Sequence, residues 1–104
     1  MLRQQRMKVA KLTDGEVKAG LQTLHGWSLR DGKLHREYEF GDFSKAFGFM
    51  AACALVAQKQ DHHPEWFNAF NRVVVDLTTH DAGGVSTLDL VLATEMEKTA
   101  RLFA

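Results

Sequence analysis

The sequence has one cysteine, one proline and no excess charge of either sign, and each of these shortages excludes a class of protein. A single cysteine, Cys53, rules out a disulfide within the chain. Lysine plus arginine number 13 and aspartate plus glutamate also number 13, so no net field attracts nucleic acid or an anionic membrane. The sequence lacks a signal-peptide core and any run of about 18 apolar residues. We therefore expect a folded cytoplasmic protein that binds neither nucleic acid nor a membrane.

The composition fits one globular domain spanning residues 1–104. Hydrophobic residues make up 45% and charged residues 25%, which are ordinary proportions for a globular protein. The N-terminal segment carries a mild basic cluster and no clear apolar period. We expect residues 1–11 to be frayed or disordered.

Local signals predict three helices. Thr13 to Glu16 has the spacing of a capping box, so a first helix should begin there and stop by Gly26. Asp42 is placed to cap the main core helix, which should run to about Gln60. Ser86 to Asp89 repeats the capping-box spacing and should begin a last helix that continues to near the C-terminus.

The apolar pattern of the main helix indicates which face lies in the core. It recurs at helical spacing through a stripe of five residues, Phe43, Phe47, Met50, Ala54 and Ala57, and three further residues widen this stripe, Ala46, Leu55 and Val56. Cys53 lies among small apolar residues of the same helix, where a lone thiol behaves as a small buried hydrophobe.

Four segments alternate in the manner of strands and pair into two hairpins. They are residues 27–29, 34–40, 66–70 and 73–79. Asp31-Gly32 supplies a two-residue turn for the first hairpin, and Asn71-Arg72 supplies the turn of the second. His35 falls on the polar face of its strand, so we expect it to be solvated.

The resulting order is α-β-β-α-β-β-α, an α+β fold with a four-stranded antiparallel sheet and three helices packed on one face. The other sheet face stays open, and the edge strands carry unpaired backbone groups that a second copy of the chain could use. We therefore expect a homo-oligomer.

The stretch from Asp61 to Trp66 contains an unusual number of functional side chains. Two imidazoles, two carboxylates, an indole and the only proline of the sequence lie within six residues. A third imidazole, His80, follows the last predicted strand. Imidazole donates or accepts a proton near neutrality, so three of them in one pocket suit general acid-base catalysis.

Other roles compete with acid-base catalysis. His62 and His63 diverge in direction because they are adjacent, and the zinc signatures H-E-x-x-H and paired C-x-x-C are absent, which disfavours a metal site. Nucleophilic catalysis and phosphate binding are also disfavoured, because the sequence has neither a G-x-S-x-G elbow nor the lysine of a P-loop. The two histidines as ordinary polar residues of a helix-to-strand connection remain an open alternative.

One combined pattern is more specific than its parts. Gln58-x-x-x-His62-His63-Pro64, then Phe70, His80 and Asp89, resembles the motif of the pterin-4a-carbinolamine dehydratase family. The motif covers Gln58 to Asp89, and the predicted element order extends the likeness over nearly the whole chain. The position of Gln58 is usually charged in that motif, often as Glu.

The resemblance implies a hydro-lyase that converts 4a-hydroxytetrahydrobiopterin to quinonoid dihydrobiopterin and water. This reaction recycles the pterin cofactor of aromatic amino acid hydroxylases and implies no metal or organic cofactor. By the same resemblance His62, His63 and His80 are the catalytic residues. The expected substrate-binding residues around them are Gln58, Asp61, Pro64, Glu65, Trp66 and Asp89.

Two of those residues have equally simple structural roles. Trp66 begins a strand, where an indole more often packs in the core than beside a substrate. Asp89 is also the acidic partner of the predicted capping box, which would hold the loop that carries His80.

The family also contains members without this activity, which keeps a second function open. These relatives serve as dimerisation cofactors of a homeodomain transcription factor in animals or are associated with carboxysome assembly. The alternative is therefore a non-catalytic binding or assembly protein of the same fold. In either case the resemblance implies a homodimer or homotetramer.

Overall fold

Seven main elements follow one another in a computed structural model that describes residues 9–104. They are α1 (Asp14–Leu21), β1 (Ser28–Arg30), β2 (Lys33–Glu39), α2 (Phe43–Gln60), β3 (Glu65–Ala69), β4 (Arg72–Leu77) and α3 (Thr87–Arg101). A 3-10 helix (His80–Ala82) lies between β4 and α3. The predicted α-β-β-α-β-β-α order and α+β class are confirmed. The predicted N-terminal disorder falls largely on residues 1–8, which lie outside the described residues.

The four strands form one antiparallel sheet in the order β1-β2-β4-β3. Both hairpins were predicted, and the first turn is formed by Asp31 and Gly32, whose φ angles are 52° and 78°. The second turn lies at Phe70 and Asn71, one residue before the predicted pair, with Phe70 at a φ of 52°. The central β2–β4 pairing joins the two hairpins.

Both predicted capping boxes are present. The Thr13 backbone N–H donates to Glu16 Oε1 at 2.9 Å, and the Glu16 backbone N–H donates to Thr13 Oγ1 at 3.2 Å. Ser86 and Asp89 form the second box at the start of α3. Helix α1 ends at Leu21 and not near Gly26, because residues 22–26 continue as turns before β1.

One face of the sheet packs against the helices and forms the core. Phe49 of α2 lies at its centre, fully buried, with its ring centroid 4.7 Å from that of Tyr38 and 5.0 Å from that of Phe40. Burying a phenylalanine side chain contributes about 1.5–3 kcal/mol. The other fully buried large side chains of this core are Leu34, Val73, Val75, Leu77, Leu92 and Met96.

The predicted core stripe of α2 is wrong for Phe43, Phe47, Ala54 and Leu55, which are exposed, whereas Ala46 and Ala57 are buried as predicted and Met50 and Val56 pack partly buried against the core. Phe43 and Phe47 are 48% and 57% exposed, whereas Ala46, Phe49 and Cys53 are buried with Ala57. The helix is apolar on nearly every side, so its period alone does not select a face. The side that packs in the core carries Phe49 among three small residues, Ala46, Cys53 and Ala57. Burial there raises the pKa of the Cys53 thiol to about 12, which fits its predicted role as a small hydrophobe.

The other face, which we call the open sheet face, carries charged side chains around a shallow concavity of about 510 Å³. Its lining includes Arg30, Lys33, His35, Glu37, Phe67, Arg72, Val74 and Asp76. The expectation that His35 is solvated is wrong, because its side chain is only 12% exposed and both ring nitrogens are hydrogen-bonded. Its partner Asp76 lies on β4, so the contact depends on strand pairing across 41 residues.

No helix within residues 9–104 combines the length and the apolarity that crossing a membrane requires.

Candidate active site

The end of α2 turns His62 back towards the core. Asp61 caps the helix in the left-handed conformation, with φ 52° and ψ 42°, and its backbone N–H donates to the carbonyls of Ala57 and Gln58. The His62 N–H also donates to the Ala57 carbonyl, at 3.1 Å. As a result His62 is 93% covered, although it lies in a loop between a helix and a strand.

The covered His62 side chain binds the carboxylate of Asp89. His62 Nε2 lies 2.5 Å from Asp89 Oδ1, and Asp89 has no exposed surface. Its second oxygen, Oδ2, accepts from Thr79 Oγ1 at 2.8 Å and from the Ser86 backbone N–H at 2.9 Å. A buried carboxylate needs such donors because it has lost its hydration. Asp89 is therefore both a helix cap and the orienting partner of His62.

Asp89 also joins the two loops that carry the histidines. His62 belongs to the α2–β3 loop, and Thr79 ends the segment after β4, immediately before His80. Thr79 and Gly84 exchange backbone hydrogen bonds of 2.9 and 3.3 Å, which closes the loop around His80. His80 itself is exposed at the start of the 3-10 helix.

His63 is oriented separately, by the last turn of α2. Its Nε2 lies 3.1 Å from Gln58 Oε1, and both side chains are exposed. Because an amide oxygen only accepts, His63 Nε2 carries the proton in this contact. Gln58 thus binds His63 without adding a charge.

The two oriented imidazoles share one chemical property. A carboxylate or amide oxygen fixes Nε2 as the donor in both His62 and His63, which makes Nδ1 the acceptor nitrogen of each neutral ring. Nδ1 accepts a proton from the neutral ring and donates one from the imidazolium.

The remaining predicted residues fall in different places. Glu65 lies on the open sheet face, with Oε1 2.6 Å from Lys33 Nζ. Trp66 is half-buried and packs against the core, and Pro64 is half-buried in the loop before β3. The structure brings His62 and Asp89 into direct contact and pairs His63 with Gln58, whereas it pairs Glu65 with a lysine.

Sequence reasoning missed the contribution of Thr79. The residue was visible as the neighbour of His80, but its bond to Asp89 spans ten positions and depends on how the β4–α3 loop folds. Thr79 Oγ1 also lies 2.5 Å from Ser86 Oγ, so both hydroxyls belong to the buried network. The full buried network consists of His62, Thr79, Ser86 and Asp89.

The part of the chain that the structure describes contains no group of side chains arranged as metal ligands. No three His, Cys, Asp or Glu side chains are arranged to hold a metal ion there. The Nε2 atoms of His62 and His63 are hydrogen-bonded to Asp89 and Gln58, respectively.

Comparison with known proteins decides the family. The family model for pterin 4 alpha carbinolamine dehydratase matches residues 10–99. The chain belongs to this family. The motif resemblance drawn from Gln58 to Asp89 is thereby confirmed.

Similar proteins agree over most of the chain. A protein of Solibacter usitatus, provisionally named pterin-4-alpha-carbinolamine dehydratase, is 50% identical over 90 residues, covering 86% of this chain and 95% of that protein. A Brucella ovis protein with the same name is 51% identical over 92 residues, with the same coverage of both chains.

Two solved structures share the fold. The crystal structure of a transcriptional coactivator/pterin dehydratase from Brucella melitensis has a TM-score of 0.84 and 51% identity, covering 86% of this chain and 98% of that one. A pterin dehydratase-like protein described as a RuBisCO assembly factor of the alpha-carboxysome has a TM-score of 0.64 and 19% identity. It covers 73% of this chain and 90% of that one, and at this identity it shows the fold alone.

Proposed function

We propose that the protein is a 4a-hydroxytetrahydrobiopterin dehydratase, a hydro-lyase that releases water and quinonoid dihydrobiopterin. The observation that carries the proposal is the buried His62–Asp89 pair, held by Thr79 and Ser86 beside the loop of His80. A buried carboxylate that hydrogen-bonds an imidazole fixes the orientation of that ring, which favours acid-base catalysis. Family membership supports the substrate class.

The reaction needs two proton transfers and no redox partner. An imidazolium gives a proton to the 4a-hydroxyl as the bond from C4a to oxygen breaks, and water leaves. A neutral imidazole takes the proton from N5, and the electron pair of the N5–H bond forms the double bond between N5 and C4a. Holding the acid and the base against the substrate lowers the activation barrier relative to the reaction in solution, because the reacting groups no longer have to meet by diffusion.

We assign His62 and His80 to the 4a-hydroxyl and His63 to the opposite side of the pterin. In this assignment Asp89 and Gln58 bind Nε2 of His62 and of His63, and Nδ1 of each ring acts on the substrate. Asp61 sets the turn that presents both adjacent histidines, and Pro64 fixes the exit of the chain into β3. In this proposal Trp66 serves the core behind the pocket.

The direct test follows the breakdown of 4a-hydroxytetrahydropterin by ultraviolet absorbance. We expect the wild type to accelerate it over buffer, and His63→Ala to lose about 10²–10⁴-fold in kcat, the usual contribution of a general acid or base. His63 is exposed, so its removal leaves the core intact. His25→Gln is the matched control, because His25 is equally exposed but lies in the turns after α1. No acceleration by the wild type would refute the proposal.

A binding or assembly protein is the second candidate. The coactivator and assembly-factor descriptions of the two structural neighbours favour it. Exposed apolar side chains of α2 also favour it, with Leu55 at 76%, Phe47 at 57% and Phe43 at 48% exposed. An inactive wild type that still captures a partner protein would support this candidate.

We further propose that the protein forms a homodimer or homotetramer in the cytoplasm. We also propose a functional link to an aromatic amino acid hydroxylase. Self-association is supported by the exposed phenylalanines Phe43 and Phe47, whose rings lie 5.8 Å apart, and by β3 at the sheet edge. Size-exclusion chromatography with light scattering tests it. We expect an oligomer for the wild type and a smaller species for Phe47→Ser, whereas a monomeric wild type would contradict it.

A further inference from the structure

One nitrogen of His35 faces two partners of opposite charge on the open sheet face. His35 Nε2 lies 2.9 Å from Glu37 Oε2 and 3.3 Å from Arg30 Nη1. A ring nitrogen donates when it carries a proton and accepts when it does not. Glu37 offers only acceptors and Arg30 only donors, so His35 Nε2 can bond to one of them at a time. Protonation decides which.

The other nitrogen of His35 has no such choice. Nδ1 lies 2.8 Å from Asp76 Oδ1, and the Asp76 carboxylate only accepts. Nδ1 therefore keeps its proton whether the ring is charged or neutral, and the proton that leaves is the one on Nε2. The neutral ring is fixed as the Nδ1–H tautomer.

We propose that His35 is a proton-operated switch in which Glu37 binds Nε2 of the imidazolium and Arg30 binds Nε2 of the neutral ring. Asp76 holds Nδ1 in both states, so the β2–β4 link is permanent. The neutral ring gains a link to the edge strand β1 through Arg30. Glu37 keeps cationic neighbours after the exchange, because Arg30 Nη1 and Arg72 Nη2 each lie 3.7 Å from its carboxylate.

The charges around His35 favour the imidazolium without abolishing the neutral state. Hydrogen bonds to Glu37 and then to Asp76 raise the pKa of His35 above 6.5, whereas partial burial and the charge of Arg30 oppose the rise. Within residues 9–104, the charged groups on this face are Arg30 and Asp31 from β1 and its turn, Lys33, Glu37 and Glu39 from β2, Glu65 from β3, and Arg72 and Asp76 from β4. Lys33 and Glu65 are occupied with each other at 2.6 Å.

The switch changes the charge that the open sheet face presents. On protonation the face gains one positive charge, and Arg30 is released from the ring towards solvent, where its side chain is already 62% exposed. On deprotonation Arg30 is held against His35, and the edge strand β1, only three residues long and exposed throughout, gains a side-chain contact to the sheet.

Nuclear magnetic resonance of the imidazole nitrogens tests the switch on the whole chain. A pH titration with long-range ¹H–¹⁵N correlation reports the protonation of Nδ1 and Nε2 separately, and His35→Gln identifies the His35 signals by their loss. We expect Nε2 alone to move to the position of an unprotonated nitrogen as pH rises. A neutral form with its proton on Nε2 would overturn the proposal.

Three variants separate the two partners. Glu37→Gln removes the partner of the charged ring and should lower the titration midpoint of His35, whereas Arg30→Met removes the partner of the neutral ring and should raise it. Glu39→Gln is the matched control, two residues further along the same face of β2 and also exposed, and should leave the midpoint unchanged. Shifts of Glu37→Gln and Arg30→Met in the same direction, or midpoints equal to the wild type, would overturn the exchange of partners. None of these residues belongs to the proposed dehydratase site, so the test is independent of the activity.

Discussion

Replacing Asp89 by asparagine removes one charge from the buried network and keeps its shape. The wild-type carboxylate accepts from three donors, His62 Nε2, Thr79 Oγ1 and the Ser86 N–H. An asparagine has one oxygen and one amide group, so it can keep Thr79 and Ser86 on the oxygen but must then donate towards His62. Two donors facing each other are unfavourable, so we expect the neutral ring of His62 to move its proton from Nε2 to Nδ1.

The size of the effect follows from this inverted ring. In the proposed mechanism the His62 ring at the 4a-hydroxyl carries a proton on both nitrogens before it gives up the one on Nδ1, and the asparagine amide leaves no acceptor for the proton on Nε2. We expect kcat to fall about 10²–10⁴-fold. The free energy of unfolding should fall by about 1.5–3 kcal/mol, because all three hydrogen bonds lose their charged acceptor and those from Thr79 and Ser86 persist as neutral ones.

Three measurements decide the outcome for Asp89→Asn. The ultraviolet dehydration assay gives kcat and KM, urea unfolding gives the loss of stability, and imidazole ¹⁵N shifts give the tautomer of His62. Circular dichroism at the assay temperature confirms that the variant is folded. A folded variant whose kcat stays within about twofold of the wild type would refute the role of Asp89 in orienting His62.

Three other predictions concern separate parts of the molecule. Gln58→Glu should raise kcat about three- to tenfold, because a charge-assisted hydrogen bond stabilises the His63 imidazolium by about 1 kcal/mol more than an amide does; an unchanged kcat in the dehydration assay would contradict this. The folded-state pKa of His35 is raised, so its stabilisation is complete below the unfolded pKa of about 6.5 and is lost as pH rises through the folded pKa. Urea unfolding should therefore show the stability difference between wild type and His35→Gln shrinking with pH from about pH 6 upward, and a difference that grows would show the opposite linkage. Phe49→Ala should lower the unfolding free energy by about 3–5 kcal/mol, whereas Phe47→Ala, measured under the same conditions, should change it by less than about 1 kcal/mol within one subunit; equal losses would mean that the core face of α2 is misassigned.

Features specified by neighbouring residues were predictable. The turn at Asp31-Gly32 requires two left-handed residues, and that dipeptide adopts them readily. The two capping boxes, Thr13 to Glu16 and Ser86 to Asp89, are closed within four residues each. Apolar and polar residues alternate so regularly along β4 that its buried face could be assigned without the partner strands.

The face of α2 and the environment of His35 were not predictable from local pattern. Because α2 is apolar nearly all round, the bulky Phe43 and Phe47 resemble core residues by hydrophobicity. Only the packing of the whole core shows that the side carrying Phe49 is the buried one. His35 alternates with polar neighbours as a solvated residue does. Its partner Asp76 becomes adjacent only when β2 pairs with β4.

The candidate site also combines features that the local sequence sets with features that tertiary packing sets. The sequence by itself determined the residue types of the acid-base chemistry, the family to which they belong, and the cap that places Asp89 in the first turn of α3, because spacing along the chain carries each of these. Only the tertiary structure decided that the free carboxylate oxygen of this cap binds His62, 27 residues away, and that Thr79 completes the pair. The physical reason is that a buried carboxylate takes its donors from whichever loops pack against it, and that packing is set by the whole core.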